Sequence, residues 1–110
     1  MTNYCIIMTS CASAQIKDKI TNALLKNKLA ACIQSQIINS SYLWQGKITK
    51  NQEELLMIKT KINLYEKIAK LIRDNHDYQI PEIIAIPIIA GDSKYFSWIE
   101  EILKTDKIKN

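Results

Sequence analysis

One short segment gathers most of the reactive side chains in this chain. His76-Asp77-Tyr78-Gln79-Ile80-Pro81-Glu82 places an imidazole, two carboxylates and a phenol within seven residues, and His76 is the only histidine. Imidazole is the commonest transition-metal ligand, and thiolates suit copper or zinc. The segment, with a cysteine such as Cys11, is therefore where a metal contact would be sought. The competing reading is structural: His76 ends a helix and favours its C-terminal dipole, while Pro81 fixes the entry to a strand. The three cysteines, Cys5, Cys11 and Cys32, form no CxxC pair, so neither a zinc ribbon nor a thioredoxin-type motif is indicated. Cys5 and Cys32 lie in apolar runs and read as small buried hydrophobes. Cys11, between Ser10 and Ala12, is the one expected to meet solvent. This cysteine usage fits a reduced, cytoplasmic protein.

Other chemistries fail on residue type. The only glycines, Gly46 and Gly91, lie far apart, so no phosphate-binding glycine loop exists. One histidine and ordinary serines make no Ser-His-Asp arrangement. An acylphosphatase would need an arginine in the loop after the first strand, where this chain has Ser10-Cys11-Ala12-Ser13. With no nucleophile–base pair to name, an enzyme is not expected. Of fifteen basic residues only Arg73 is an arginine, and the lysines are scattered apart from a loose cluster at Lys104, Lys107 and Lys109. Recognition of bases and phosphates leans on the guanidinium fork, so the net charge of +4 reads as a lysine-rich surface rather than a nucleic-acid site. No run approaches the ~18 apolar residues of a membrane span. Met1-Thr2-Asn3-Tyr4 carries no basic region ahead of the short apolar run, so no signal peptide is expected. Trp44 and Trp98, with Tyr42 and Tyr95, read either as a pocket lining or as core and subunit contact. Lys59 and Glu53 read either as a pair across an interface or as a solvated strand face.

The elements that must position these residues follow from periodicity. The 110 residues, 47% hydrophobic, fit a single domain over 1–110. Tyr4 to Thr9 reads as a buried strand. Ser13 caps a helix running to about Lys28, with Ile16, Ile20, Ala23 and Leu24 on one face. A strand follows through Trp44, with polar interruptions at Gln34-Ser35-Gln36 and Asn39-Ser40-Ser41 that would suit a bulge. Gln45-Gly46-Lys47 is a hairpin turn, in which Gly46 supplies a positive φ. Ile48 to Ile62 is the partner strand. Asn63 with Glu66 suggests a capping box for a second helix ending near Asn75-His76. Ile80 to Ala90 is a last strand whose Pro81 and Pro87 point to an edge or bulge. Ser93 opens a final helix.

The order β-α-β-β-α-β-α predicts an α+β, ferredoxin-like split βαβ fold: an antiparallel sheet with helices on one face and a long central hairpin. Ala30 to Gln45 would reach roughly 50 Å as a strand, against about 24 Å for the first helix. One subunit's helices cover only half of such a hairpin. Ile37, Ile38, Tyr42, Leu43, Trp44 and Ile48 at its far end would be left bare, so another copy of the chain is expected to cover them.

Six pieces of sequence then resemble the divalent-cation-tolerance (CutA) family along almost the whole chain. They are Thr9 after the first strand; Leu29-Ala30-Ala31-Cys32; Tyr42-x-Trp44-x-Gly46-Lys47-Ile48; Glu53 followed by Ile58-Lys59-Thr60; His76-x-Tyr78-x-x-Pro81-Glu82-Ile83; and Gly91-x-x-x-Tyr95-x-x-Trp98. The resemblance implies a ferredoxin-like subunit in a homotrimer, a role in the response to metal ions, and no established reaction. Copper-binding members are credited with a cysteine just before the loop threonine and a histidine pair, positions held here by Met8 and Asn75-His76. It therefore implies a divalent-metal contact, copper above all, at His76, with Met8 a softer donor and Cys11 a substitute thiol. The family's trimers also look like those of the PII signalling proteins. That likeness implies an alternative, a ligand-sensing or scaffold trimer with Tyr42, Trp44, Lys59, Glu82, Tyr95 and Trp98 lining clefts between subunits.

Overall fold

Strand β1 spans Tyr4–Cys11, and its residues Cys5, Ile7, Thr9 and Cys11 are all buried on one face. In the computed structural model, which describes residues 2–104, β1 runs two residues past Thr9 because Ser10 and Cys11 still pair with Leu55 and Glu54. Cys11 thereby continues the inward alternation and is fully buried, so the expectation that it meets solvent is corrected; Cys32 is the partly exposed cysteine. Of the lysine cluster, Lys107, Lys109 and the side chain of Lys104 lie outside the described residues.

Helix α1, Ala14–Lys26, begins at Ser13, whose Oγ accepts the Ile16 N–H at 3.2 Å, the cap expected of it. It buries Ile20 and Leu24 and stops two residues early, where Lys28 takes a φ of 56°. Strands β2, Cys32–Trp44, and β3, Lys47–Lys61, pair without interruption from Cys32–Lys59 to Trp44–Lys47, so the polar triplets make no bulge. At the hairpin tip Gln45 and Gly46 both have positive φ, 53° and 79°, as a type I′ turn requires. A 3₁₀ turn at Ile62–Leu64 then leads into α2, Tyr65–Asp74. The Tyr65 N–H bonds to the Ile62 carbonyl, so the turn itself starts the helix and the expected Asn63 cap does not form. Strand β4, Ile83–Pro87, is shorter than the periodicity suggested: it begins two residues after Pro81 and ends on Pro87, neither of which can donate to a ladder.

The sheet order is β2-β3-β1-β4, antiparallel throughout, which is the ferredoxin-like arrangement, with β2 and β4 at the edges. Helices α1 and α2 pack on one face, where Ile20, Leu24, Ile68 and Ile72 meet Cys5, Ile7, Leu56 and Ile58. Helix α3, Ser93–Lys104, lies on the opposite face, which corrects the one-sided arrangement expected from the element order. There Phe96 stacks on Tyr4 at 4.4 Å between centroids, and Lys61 Nζ is 2.9 Å from Glu100. Asp92 starts this helix, one residue ahead of Ser93, by accepting the Lys94 and Tyr95 N–H groups at 3.0 and 3.2 Å.

Neither layer reaches the hairpin tip. The domain measures 48 × 28 × 20 Å, whereas thirteen residues of α1 span only about 20 Å. Leu43 and Ile48 are 73% and 76% exposed, and Ile37, Tyr42 and Trp44 are also exposed, while Ile38 is half-buried rather than bare. On the α3 face, Ile84 and Ile86 of β4 are exposed as well. No described helix is long and apolar enough to cross a membrane.

Candidate functional site

The segment from Asn75 to Glu82 leaves α2 and returns to the sheet as β4. Asn75 closes the helix, its side-chain amide donating to the Leu71 carbonyl at 2.8 Å. The next side chain, His76, is fully buried. Its Nε2 lies 2.8 Å from the Ser10 carbonyl, and its Nδ1 accepts the Tyr78 N–H at 3.1 Å. With Nδ1 accepting, Nε2 carries the proton and donates to Ser10. The histidine thus ties the end of β1 to the turn that follows it and aims Tyr78 across the sheet.

Tyr78 reaches β3. Its hydroxyl donates to Glu53 Oε2 at 2.8 Å, and its phenol pKa is pushed well above the ordinary value, first by burial, then by that hydrogen bond and by the charge of Glu53. Glu53 is only 7% exposed and makes no ion pair among the described residues. By strand alternation Glu53 shares the α3 face with Ser10, Leu55 and Ile38. Next to this junction lies a cleft of about 610 Å³. The open-face residues Tyr42 and Trp44 form one side of it, and Asp77, Tyr78, Ile80 and Glu82 the other.

The residues expected to hold a metal are not gathered here. Met8 and Cys11 stand on opposite faces of β1, since one is at an even and the other at an odd position. Burial above all pushes the Cys11 thiol up, and the thiol is engaged with the Ser13 carbonyl at 3.6 Å. Both nitrogens of His76 are engaged. Among the described residues, no three His, Cys, Asp or Glu side chains converge as a metal ion would require. The residues present do not fit a copper centre in this arrangement.

The residues expected around a cleft fall into two groups. Tyr42, Trp44 and Glu82 line the cleft at the hairpin. Lys59, Tyr95 and Trp98 form a second cluster under α3, with Lys59 Nζ 5.6 Å from the Tyr95 ring and Tyr95 stacked on Trp98 at 5.8 Å. Glu53 and Lys59 each have a partner within the chain, Tyr78 and Tyr95 respectively. Sequence reasoning missed the Glu53–Tyr78 junction, which spans 25 residues. The available signal was a carboxylate two residues before the apolar Leu55, and so on the same strand face as that buried side chain.

Comparison with known proteins agrees with this fold along nearly the whole chain. Residues 5–102 match the model of the CutA1 divalent ion tolerance protein family. The chain is 33% identical over 97 residues to the divalent-cation tolerance protein CutA of Thermus thermophilus, covering 87% of this chain and 94% of that one. It is 36% identical over 96 residues to the chloroplastic protein CutA of Arabidopsis thaliana, covering 86% of this chain but spanning only 53% of that relative. Rice CutA 1 is likewise spanned only to 54%. The structure of the periplasmic divalent cation tolerance protein CutA from Archaeoglobus fulgidus superposes with a TM-score of 0.89 at 31% identity, over 91% of this chain and 98% of that one. CutA1 from Shewanella sp. SIB1 superposes with a TM-score of 0.87 at 38% identity, over 91% and 94%. With that extent of match in sequence and in fold, the chain belongs to the CutA1 divalent ion tolerance protein family.

Proposed function

We propose that this chain acts as a cytoplasmic homotrimer in the response to divalent metal ions, and that it does so as a non-catalytic protein binding a small ligand in the hairpin cleft. The observation that carries the ligand reading is the cleft itself: about 610 Å³, within the range of small-molecule sites, and lined by convergent polar and aromatic side chains. Assembly is supported by the bare apolar residues of the hairpin and of β4, which a monomer would expose to aggregation. The metal-ion role is supported by the names of the relatives. A cytoplasmic setting is supported by three free cysteines, although named relatives include chloroplastic and periplasmic proteins.

The other reading, a copper or other divalent ion held by His76 with Cys11 and Met8, has less in its favour. It would require His76 to give up one of its two hydrogen bonds. Calorimetric titration of Cu(II) and Zn(II) into wild type and His76→Ala distinguishes the two. The expected result is superimposable curves; a binding event that vanishes with His76 would restore the metal site. Native mass spectrometry of the same protein gives the subunit number, expected to be three.

A further inference from the structure

The ring of His76 has no unused hydrogen-bonding group. Its side chain has 0% exposure, and both ring nitrogens are engaged. Nε2 lies 2.8 Å from the Ser10 carbonyl, which can only accept, so Nε2 carries the proton. Nδ1 lies 3.1 Å from the Tyr78 N–H, which can only donate, so Nδ1 presents a lone pair. The neutral ring satisfies both partners. The imidazolium does not, because a proton on Nδ1 fills the lone pair that holds Tyr78 and sets two N–H groups against each other. Each of these contacts is made inside one chain around an unexposed ring, so a second copy over the hairpin leaves them in place.

The surroundings favour the opposite charge state. Asp77 Oδ1 stands 3.5 Å from Nδ1, within the same segment. Strand β3 brings Glu53, at the far end of the Tyr78 phenol, and Glu54, in register with Cys11 and 3.9 Å from Lys17 of α1. Strand β1 brings the Cys11 thiol, bonded to the Ser13 carbonyl. The last turn of α2 carries the exposed Arg73 and Asp74, and Glu82 leads into β4. The His76 N–H bonds to the Arg73 carbonyl, so the ring follows a helix C-terminus, where the dipole also favours positive charge. Carboxylates thus outnumber cations around a ring whose bond from Tyr78 admits only the neutral form. Imidazole changes charge between about pH 5 and 8.

We propose that His76 is an acid-released latch: a proton gained from solvent at Nδ1 turns that nitrogen from the Tyr78 amide to the Asp77 carboxylate and frees the turn after α2. Tyr78 is the part that moves. Its hydroxyl also holds Glu53 at 2.8 Å, so release of its backbone loosens the wall of the hairpin cleft. The latch goes beyond the ligand reading of that cleft and does not depend on it.

Amide hydrogen exchange on the full-length, assembled protein tests it, with a chelator present and rates corrected for the intrinsic pH dependence of exchange. Between about pH 8 and 5.5 the Tyr78 amide should lose about tenfold or more of its protection, while the amides of the β1–β3 ladder keep theirs. His76→Gln retains a side-chain N–H for Ser10 but cannot titrate, and should make Tyr78 protection independent of pH over that range. Asp77→Asn removes the carboxylate that accepts the new N–H. It should shift the loss to lower pH, and covers the case in which His76→Gln does not fold. Constant protection of Tyr78 in the wild type would overturn the latch. An equal pH response in His76→Gln, or an unmoved one in Asp77→Asn, would overturn it too, because the titrating group would then lie elsewhere.

Discussion

Glu53 and Tyr78 form the least exposed polar contact of the cleft, and their chemistry sets a pH dependence. An unfolded tyrosine releases its proton near 10.0, whereas the folded Tyr78 holds it to higher pH because of burial and the Glu53 carboxylate. The native state therefore binds more protons than the unfolded one above that pH. The stabilisation is complete below about pH 10 and is lost as the pH rises further. Burial also pushes the Cys5 and Cys11 thiols up, which adds to the decline from a somewhat lower pH. In an absorbance titration Tyr78 should be missing from the phenols that ionise near 10.0, and Tyr4, raised mainly by burial, should be late as well. Tyr78→Phe should flatten the alkaline loss of unfolding free energy. At pH 7 the same change should cost about 1–3 kcal/mol in denaturant unfolding, because it strips the buried Glu53 of its donor. That His76 is unusual was legible in the sequence; that it works as a clamp was not, because its partner Ser10 lies 66 residues away.

Among the elements, α3 depends most on a single small residue. A methyl group on Gly91 would stand 2.4 Å from Cζ of Phe96, the ring that stacks on Tyr4 and docks the helix on the sheet. Backbone freedom is not the reason for glycine here; the close approach of the ring is. Gly91→Ala should push Phe96 out of its stack and cost about 1–3 kcal/mol, read as a lowered melting temperature. Strand parity and the Ser13 cap could be read from a few adjacent residues. The start of α2 could not, since a 3₁₀ turn took over the role that Asn63 and Glu66 suggested. The face that α3 covers depends on where β1 and β3 leave Tyr4 and Lys61, which no local pattern encodes.

At the scale of the whole molecule the hairpin outruns its cover. Its unbroken ladder carries Leu43, Trp44 and Ile48 beyond both helical layers. In the homotrimer proposed above, a second copy offers the desolvation that one copy lacks. Trp44→Asp would put a charge into that contact, and should disperse the oligomer and lower both solubility and melting temperature. Size-exclusion chromatography with light scattering checks it: a mutant of unchanged mass and melting would show that Trp44 lies outside the contact.

Local order was written in the sequence because its causes are local. Alternation every two residues, helical spacing, two prolines around β4 and a glycine in the turn each act over a few neighbours, and they determined the strands, the helices, the hairpin and its excess length. The cleft was decided only in three dimensions. Ser10, Glu53 and the His76–Glu82 segment come from three separate stretches, and the register of β1 on β3 brings them together. Pairing with β3 also carried β1 on through Cys11, and alternation along that strand then set Met8 and Cys11 on opposite faces, so a set of metal donors became two unrelated residues. One residue of register changes every side chain's face, and that choice is made by long-range pairing and burial rather than by neighbouring residues.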